Sequence, residues 1–431
     1  MIARLYDLIL CLSALFLVPY YLVRGIRYGK ARRGLRERLG FFTPELKDRI
    51  LGQDVIWVHA VSVGETRAAI PLFRALKARY PNAFLVLSNV TETGREMARK
   101  IPEADACIFF PFDLSWVVRK VLKLINPKII ILVETEIWPN FVLEARQLNL
   151  PVILVNGRIS DRSLPRYRKV MKILKPVIDG ISAFCMQTAQ DARRIRLLGA
   201  PSGRVYVTGN MKFDMAPLPM NDLDFERLRQ SYKIPDDIKT WVAGSTHAGE
   251  EDILVEVYLK IRTHHPNLLL IIVPRHPERA RLICENLTKS NIPWILRTEL
   301  EQQAGNLKPG DVLVVDTIGE MLKLYGVADF VFVGGSLVPV GGHNILEAAL
   351  MKKPVFFGSY MQNFKEIARL VRQAHGGLQV SGAEDLYRQM RILIENPDEA
   401  RRIGENGHRL LDENRGATEK TIAEINRRIL D

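Results

Sequence analysis

Short, nearly continuous apolar runs alternate along the chain with longer segments of helical spacing. In the first half, the runs that predict strands are residues 55–61, 84–90, 107–110, 129–133, 152–155, 183–186 and 205–208. In the second half, they are residues 240–243, 268–273, 312–315, 330–333 and 355–357. Residues 66–80 instead repeat apolar side chains at the period of a helix. Strands that are apolar on both faces and are separated by helices predict parallel sheets covered on both sides.

A break in composition separates the two series of elements. Residues 215–224 are proline-rich and irregular, as expected of an interdomain linker. We therefore predict an α/β protein with two Rossmann-like, doubly wound parallel-sheet domains that face each other across a cleft. The predicted segments are 1–38, an apolar helix with a basic tail; 39–214, the first domain; 215–239, the linker; and 240–431, the second domain with terminal helices. Ligands of such sheets bind at the carboxyl ends of the strands.

The N-terminal segment combines an apolar stretch with a basic one. Residues 8–23 are apolar except for Ser13 and Pro19, and seven Lys and Arg residues follow from Arg24 to Arg38. The stretch is slightly shorter than the ~20 residues that span a bilayer. A cleaved signal peptide is disfavoured because the basic cluster follows the apolar stretch and no Ala-x-Ala site is present. We expect a membrane anchor with the rest of the chain in the cytoplasm, while a buried or surface-lying helix remains the alternative.

Charge and cysteine content narrow the function further. The 431 residues include 61 Lys and Arg against 48 Asp and Glu, a net charge of +13 that predicts a polyanionic partner: nucleic acid, an anionic membrane or a phosphorylated substrate. The four cysteines lie far apart, which argues against disulfides and structural zinc. Neither a GxGxxG nor a Walker A motif is present, which disfavours nicotinamide and ATP chemistry. The only Asp-x-Asp, Asp222 and Asp224, lies in the linker, so we predict no metal.

Four loops of the second half follow predicted strands. The most informative is 334–347, where two glycine pairs precede a helix that we expect to open at Asn344. Asn344 and Glu347 have the spacing of a capping box, and Glu347 is equally placed to bind a ribose diol. Loops after strands are also polar for solvation alone, so each loop by itself is weak evidence for a nucleotide site. The candidate ligand contacts in the other loops are Ser245, Thr246, Arg275, His276, Gly319, Glu320 and Met321.

Carboxylates and cations mark the strand ends of the first half. Glu65 begins a helix, where it is either a dipole-stabilised cap of low pKa or a general base. Glu134 follows a strand together with Glu136, and the two carboxylates share a side if the strand continues. Lys212 lies just before the linker. The alternative for these charged groups is an ordinary salt bridge or a solvated surface position. Further candidates are Ser62, Gly64 and Arg158 in the first half and Gly341, Gly342 and His343 in the loop 334–347 of the second half.

The motifs together resemble one family over nearly the whole chain. They are HAVSVGET, PFDLS, VETEIWPN, NGRIS, TGNMKFD, GSTHAGEE, IIVPRHPER, DTIGEMLKLYG and FVGGSLVPVGGHNILEAA, in this order. They resemble the lipid A-directed 3-deoxy-D-manno-octulosonic acid (Kdo) transferases of Gram-negative bacteria. The resemblance implies a GT-B fold, with an acceptor-binding first domain and a CMP-sugar-binding second domain. It also implies inverting, metal-independent transfer of Kdo from CMP-Kdo to the phosphorylated, acylated glucosamine disaccharide of a lipid A precursor.

The resemblance assigns roles to residues by motif. It makes Glu65 the general base and Glu134 and Lys212 transition-state stabilisers. The CMP-binding residues that it implies are Arg275, His276, Gly319, Glu320, Met321, Asn344, Ile345, Leu346 and Glu347. It further implies anchoring at the cytoplasmic face of the inner membrane, by a helix that spans it or lies in it, with no cofactor and no nucleic-acid partner. The alternative is another GT-B nucleotide-sugar transferase that acts on a membrane lipid. A non-catalytic RNA-binding protein is disfavoured because the aromatic-plus-basic strand pattern is missing.

Overall fold

The chain folds into two compact units. The structure, a computed structural model, describes residues 6–8, 10–13, 34–161, 163–216, 220–302 and 305–430. The first unit comprises Met1–Asp214 and Asn414–Asp431, and the second comprises Met215–Glu413. Each unit contains one seven-stranded sheet in which every neighbouring pair of strands is parallel. The two doubly wound parallel sheets predicted from the apolar runs are thus confirmed.

The first sheet reverses its strand order between β1 and β4. Its strands are β1 Val55–His59, β2 Phe84–Asn89, β3 Ala106–Phe109, β4 Ile129–Val133, β5 Val152–Gly157, β6 Ala183–Met186 and β7 Val205–Val207. They lie in the order β3-β2-β1-β4-β5-β6-β7. All five residues of β1 and of β4 are buried because helices cover both faces of the sheet. Such a reversal leaves a crevice at the carboxyl ends of the two central strands, where doubly wound proteins bind ligands.

The helices of the first unit differ from the predicted ones mainly near Pro71. The expected helix over 66–80 is two helices that meet at Ala69. Pro71 has no N–H to continue the hydrogen-bond ladder, which explains the break. The described helices of this unit are Leu35–Arg38, Pro44–Ile50, Val63–Ala68, Ile70–Arg79, Glu92–Ala98, Ser115–Ile125, Pro139–Gln147, Ser163–Lys169, Met171–Asp179, Ala189–Leu197 and Ala417–Leu430, with 3₁₀ turns at Ser202–Arg204 and Met211–Phe213.

The second sheet reverses its strand order between β8 and β12. Its strands are β8 Lys239–Thr246, β9 Leu268–Pro274, β10 Trp294–Leu296, β11 Val312–Val314, β12 Phe330–Val333, β13 Val355–Phe357 and β14 Leu378–Gln379. They lie in the order β10-β11-β9-β8-β12-β13-β14. The register of β8 against β9 shifts between Gly244 and Thr246, and Ser245 has φ 57°. This irregularity redirects the side chains at the end of β8.

Part of the predicted linker is helical. Its helix, Asp222–Ser231, starts with a capping box in which Asn221 and Asp224 bond each other's backbone N–H. The second carboxylate of the Asp-x-Asp motif therefore has a structural role. The other described helices of the second unit are Glu250–Arg262, Ala280–Lys289, Met321–Val327, Leu346–Leu350, Lys365–Gln373, Ala383–Glu395 and Pro397–Glu413, with 3₁₀ turns at Pro277–Arg279, Leu300–Gln302 and Gln362–Phe364.

The terminal helix Ala417–Leu430 belongs to the first unit, which differs from the predicted second domain of 240–431. Its residues Ala417 and Ile425 are buried in the same apolar cluster as Leu72 and Leu76. The carboxylate of Asp214 accepts hydrogen bonds from Gly416 N at 2.8 Å and from Thr418 N at 2.5 Å. These contacts hold the start of the helix on the first unit.

The N-terminal segment is only partly described. Most of the predicted anchor, residues 14–33, lies outside the described residues. Within the described ranges, no helix is both long enough and apolar enough to cross a membrane. Residues 6–8 and 10–13 are helical, and the carboxylate of Asp7 accepts hydrogen bonds from Ser115 N and Oγ and from Asn140 Nδ2 at 2.6–3.0 Å. The start of the chain is therefore bonded to the first unit.

Candidate functional site

Glu65 lies at the crevice of the first sheet, in the helix that follows β1. Ser62 caps this helix, and its hydroxyl donates a hydrogen bond to Glu65 Oε1 at 2.9 Å. The Val61 N–H donates to Oε2 at 2.7 Å. These bonds orient the carboxylate, while burial raises the pKa of Glu65 to about 7, and the negative charges of Glu134 and Glu136 also raise it. The carboxyl group thus changes charge near neutral pH, as a general base requires.

Glu134 follows β4, the other strand at this crevice. The strand ends at Val133, and Glu134 has φ 59°, so the predicted continuation that would align Glu134 with Glu136 does not occur. Lys212 Nζ lies 3.2 Å from Glu134 Oε1, which brings two of the predicted residues together as an ion pair. Burial raises the pKa of Glu136, as does the nearby charge of Glu134.

Arg158 is held at this edge by its backbone. Its N–H donates to Thr135 Oγ1 at 3.0 Å, and the same hydroxyl donates to the Arg158 carbonyl. The loops that follow β4 and β5 are therefore bonded to each other. Gly64 is exposed at the start of the Glu65 helix, so it leaves the approach to that helix unobstructed.

In the second unit, backbone amides of the loop after β12 bind a carboxylate of the protein itself. Glu250 is completely buried, and its carboxylate accepts hydrogen bonds from the N–H groups of His247, Gly335, Ser336 and Leu337 at 2.7–3.0 Å. These amides are occupied by a carboxylate of the protein itself. These four amides therefore cannot also donate hydrogen bonds to a phosphate bound at this edge.

Gly334 is needed for the close approach of β8 and β12. A Cβ atom on Gly334 would lie 2.5 Å from the Ser245 carbonyl oxygen and 2.7 Å from Thr246 Cα. Thr246 is buried, and its hydroxyl donates to Glu251 Oε1 at 2.9 Å. The Glu251 carboxylate also binds Arg279 at 2.6 and 3.2 Å. The hydroxyl of Thr246 is thus used internally, whereas Ser245 stays partly exposed at the strand end.

Two predicted histidines of this edge surround a third, His247. His276 is exposed after β9, and its ring centroid lies 6.1 Å from that of His247. His343 Nε2 lies 2.9 Å from His247 Nε2. Arg275 is exposed beside His276, and its N–H donates to the Thr246 carbonyl. Three imidazoles therefore lie together at the carboxyl ends of β8, β9 and β12, and the charge of Arg275 acts on His247.

The loop after β11 presents backbone rather than carboxylate. Glu320 accepts hydrogen bonds from Thr317 Oγ1 at 2.6 Å and from Arg297 at 3.4 Å, so its side chain is held within the unit. Gly319 has φ 98° and is exposed, and Met321 begins the following helix. Of this predicted group, Gly319 is the residue with the most accessible backbone.

The expected helix opening at Asn344 is wrong by two residues. The helix begins at Leu346, and Asn344 Oδ1 accepts from Leu346 N at 3.2 Å, while Ile345 occupies the N-cap position. The Asn344 side chain thus forms a turn with the residue two positions ahead rather than the predicted cap three positions ahead. Ile345 and Leu346 are buried, and Glu347 is partly exposed at the start of this helix. Gly341 and Gly342 donate their N–H groups to the Gly335 carbonyl at 3.2 and 2.7 Å.

Sequence reasoning missed Glu250 and His247. Three acidic residues open the helix Glu250–Arg262, a pattern that is ordinary for a helix N-terminus, so nothing in the sequence separates Glu250 from its neighbours. The only signal for His247 in the sequence is its place after a predicted strand. Among the described residues, no group of three or more His, Cys, Asp and Glu side chains has the arrangement of a metal site.

A separate cavity of about 420 Å³ lies in the second unit, beside the carboxyl ends of β13 and β14. Its lining includes Ser359, Arg372, His375, Ser381 and Arg402. Arg402 is paired with Glu399 at 2.7 Å, and Ser381 bonds to Asp385, so much of its polar lining is internally satisfied. The cavity does not include the predicted site residues.

Comparison with known proteins gives a consistent result. A family model described as 3-deoxy-D-manno-octulosonic-acid transferase (kdotransferase) matches residues 33–215. The chain is 35% identical over 419 residues to the 3-deoxy-D-manno-octulosonic acid transferase of Haemophilus influenzae, covering 96% of this chain and 94% of that one. It is 31% identical over 377 residues to the enzyme of the same name from Rickettsia felis, covering 86% and 79%.

Solved structures share the fold. The crystal structure of a glycosyltransferase from Rickettsia africae superimposes with a TM-score of 0.58 at 17% identity, covering 88% of this chain and 99% of that one. At this identity the likeness concerns the fold alone. The two parallel seven-stranded sheets are accordingly described as a GT-B-like α/β fold.

Proposed function

The chain belongs to the family of 3-deoxy-D-manno-octulosonic acid transferases and is therefore a glycosyltransferase, and we propose that it transfers Kdo from CMP-Kdo to a lipid A precursor by an inverting, metal-independent reaction. The observation that carries the catalytic part is the partly buried carboxyl group of Glu65, whose pKa is raised to about 7 at the crevice of the first sheet. The first unit supplies the base and binds the acceptor, and the second unit binds the donor.

In the proposed reaction, Glu65 accepts the proton of the attacking hydroxyl. The acceptor oxygen forms a bond to the anomeric carbon of Kdo as the bond from this carbon to the phosphate oxygen of CMP breaks. The electron pair of the broken bond stays with CMP. The ion pair of Glu134 and Lys212 lies at the same edge as Glu65 and would stabilise charge that develops in the transition state.

The second unit offers cationic and backbone groups to the nucleotide. Arg275 and His276 would contact the phosphate, and the loops with Gly319 and Asn344 would contact the base and ribose. The supporting observation is that these loops follow β9, β11 and β12, which are strands of one parallel sheet and have their carboxyl ends at the same edge. The occupied amides at Gly335–Leu337 leave side chains as the main phosphate donors.

The acceptor is proposed to be a phosphorylated, acylated glucosamine disaccharide at the inner membrane. A net charge of +13 suits both the acceptor phosphates and an anionic bilayer surface. The apolar N-terminal stretch and the basic residues after it would hold the enzyme on the cytoplasmic face. Fractionation of cells that express the full chain, with and without residues 1–33, tests this location.

A glutamine at position 65 tests the base directly. Glu65→Gln keeps the shape of the side chain but removes the basic oxygen, so Kdo transfer should fall at least 100-fold, or about 2.7 kcal/mol in barrier, while CMP still binds. The matched control is Glu45→Gln, which changes an exposed glutamate in the first turn of another helix. Transfer by Glu65→Gln within tenfold of the wild-type rate would rule out the base role.

A further inference from the structure

His247 and His343 share one hydrogen bond between their ring nitrogens. The Nε2 atoms lie 2.9 Å apart, the ring centroids lie 5.1 Å apart, and the two planes differ by 6°. Each neutral imidazole has one N–H and one acceptor nitrogen, so one ring must donate to the other. The pair therefore already contains a single proton between the two Nε2 atoms.

This arrangement limits the charge that the pair can hold. One added proton converts one ring to an imidazolium without breaking the shared hydrogen bond. With a second added proton, the two Nε2–H groups would face each other at 2.9 Å. The shared hydrogen bond would then be lost, and the two cations would repel each other. The hydrogen-bonded pair can therefore hold a charge of zero or +1.

The backbone around the pair is fixed by Gly335. Gly335 has φ 65°, and a Cβ atom there would lie 3.1 and 3.2 Å from the Cδ2 and Nε2 atoms of His343 and 3.3 Å from Cδ2 of His247. Its N–H and that of His247 both donate to Glu250, and its carbonyl accepts from Gly341 and Gly342, just before His343. Both rings thus fit because Gly335 has no side chain, and the hydrogen bonds of Gly335 link the two loops that carry His247 and His343.

The charged groups facing His247 come from two elements. The helix Glu250–Arg262 contributes Glu250 and Glu251, and the loop after β9 contributes Arg275 and His276. Burial lowers the pKa of His247, and His276 and Arg275 lower it further, while the two glutamates oppose them. Glu250 is already bonded to four amides, and Glu251 is bonded to Arg279. Without an anion, burial and the two cationic neighbours thus favour the neutral form of His247.

We propose that His247 and His343 act as one proton-sharing acid that binds the phosphate of CMP and takes up one proton when this phosphate binds. The proposal rests on the proposed binding of CMP by the second unit. The pair lies where β8 and β12 reverse the strand order, and the four nearby amides that bind Glu250 do not compete with the two rings for a phosphate. During transfer the electron pair of the broken bond stays on the phosphate, and the imidazolium keeps its proton and faces this added charge.

Calorimetry of CMP binding measures the proton directly. Titrations at pH 7.5 in buffers of different ionisation enthalpy should show uptake of roughly 0.5–1 proton per CMP by the wild-type chain. His247→Asn and His343→Asn should each abolish this uptake and weaken CMP binding about tenfold, which is 1.4 kcal/mol. The double variant should lose no more than either single variant, because the pair acts as a unit. His264→Asn, an exposed histidine of the same unit, should behave as wild type.

Cytidine lacks the phosphate of CMP and therefore tests whether proton uptake depends on phosphate binding. It should bind without proton uptake. CMP binding by wild type without uptake, or with the same uptake in His247→Asn, would overturn the pair while leaving the proposed function intact. Failure of wild type to bind CMP at all would overturn both.

Gly335→Ala provides a second test that leaves both histidines in place. The added methyl group displaces the rings, so proton uptake should fall as in the histidine variants. Its control is Gly52→Ala, which introduces alanine at φ 74° where an added Cβ meets nothing within 4 Å. If Gly335→Ala retains its thermal midpoint and full proton uptake, the rings do not depend on this space and the proposal fails.

Discussion

At the scale of single residues, Glu65 is subject to opposing effects. Its hydrogen bonds from Val61 and Ser62 favour the carboxylate, whereas burial and the charges of Glu134 and Glu136 favour the acid. The effects that favour the acid outweigh the others, because the pKa of Glu65 is raised from its ordinary value to about 7. Ser62 caps the helix, and the pKa of Glu65 is raised rather than lowered as the dipole-stabilised alternative would have it.

The raised pKa predicts the pH dependence of transfer. A general base must be unprotonated, so the rate at saturating substrates should fall tenfold per pH unit below about 7 and level off above it. A carboxylate with the ordinary pKa of about 4.3 would give a flat rate from pH 5.5 to 8 instead. Single-turnover rates between pH 5 and 8.5 distinguish the two outcomes, and Glu45→Gln should retain the wild-type profile.

At the scale of elements, strand prediction succeeded where apolar runs were long and buried on both faces. Residues 129–133, 183–186, 330–333 and 355–357 are strands with the predicted bounds. The missed strands β10 and β14 have three and two residues, and their partly exposed side chains break the apolar pattern. The helix Asp222–Ser231 was missed because the prolines before it suggested irregular chain.

The candidate site was predictable to the level of loops but not of hydrogen bonds. The strand ends predicted from the sequence place Glu65, Glu134, Arg275 and His276 at two sheet edges, because parallel strands bring their carboxyl ends together. The carboxylate of Glu250 reaches amides more than 80 residues away in the chain, and such a contact leaves no local pattern.

The terminal helix gives a prediction at this scale. Ile425 is fully buried in the apolar cluster of the first unit, so Ile425→Ala should destabilise that unit by about 2–5 kcal/mol. Hydrogen exchange should quicken in the helix Ile70–Arg79 and stay unchanged in Ala383–Glu395. Ile392→Ala, an exposed position in the latter helix, is the control. Faster hydrogen exchange in the second unit alone would contradict the assignment of the helix Ala417–Leu430 to the first unit.

At the scale of the whole molecule, two doubly wound units with different strand orders contribute different chemistry. The reversal between β1 and β4 carries Glu65 and the pair of Glu134 with Lys212, whereas the reversal between β8 and β12 carries the histidines and the loops that we propose bind the nucleotide. Carboxylates thus predominate at one edge and protonatable or cationic groups at the other. This division suits a reaction that removes a proton from one substrate and releases an anion from the other.

Metal independence is a prediction for the intact enzyme. Asp224, half of the only Asp-x-Asp motif, caps a helix, and Arg275 with the histidines offers positive charge for departing CMP. Transfer should therefore proceed unchanged in EDTA. Loss of product in EDTA and its return with added Mg²⁺ would contradict this part of the proposal.

The most direct measurement is the mass of the lipid product. Purified full-length chain is incubated with a dispersed lipid A precursor and either CMP-Kdo or UDP-N-acetylglucosamine, and lipid and nucleotide are analysed by mass spectrometry. We predict that the acceptor gains Kdo only with CMP-Kdo, and that one CMP is released for each Kdo transferred. An unmodified acceptor with CMP-Kdo, or sugar transfer from the uridine nucleotide, would contradict the account.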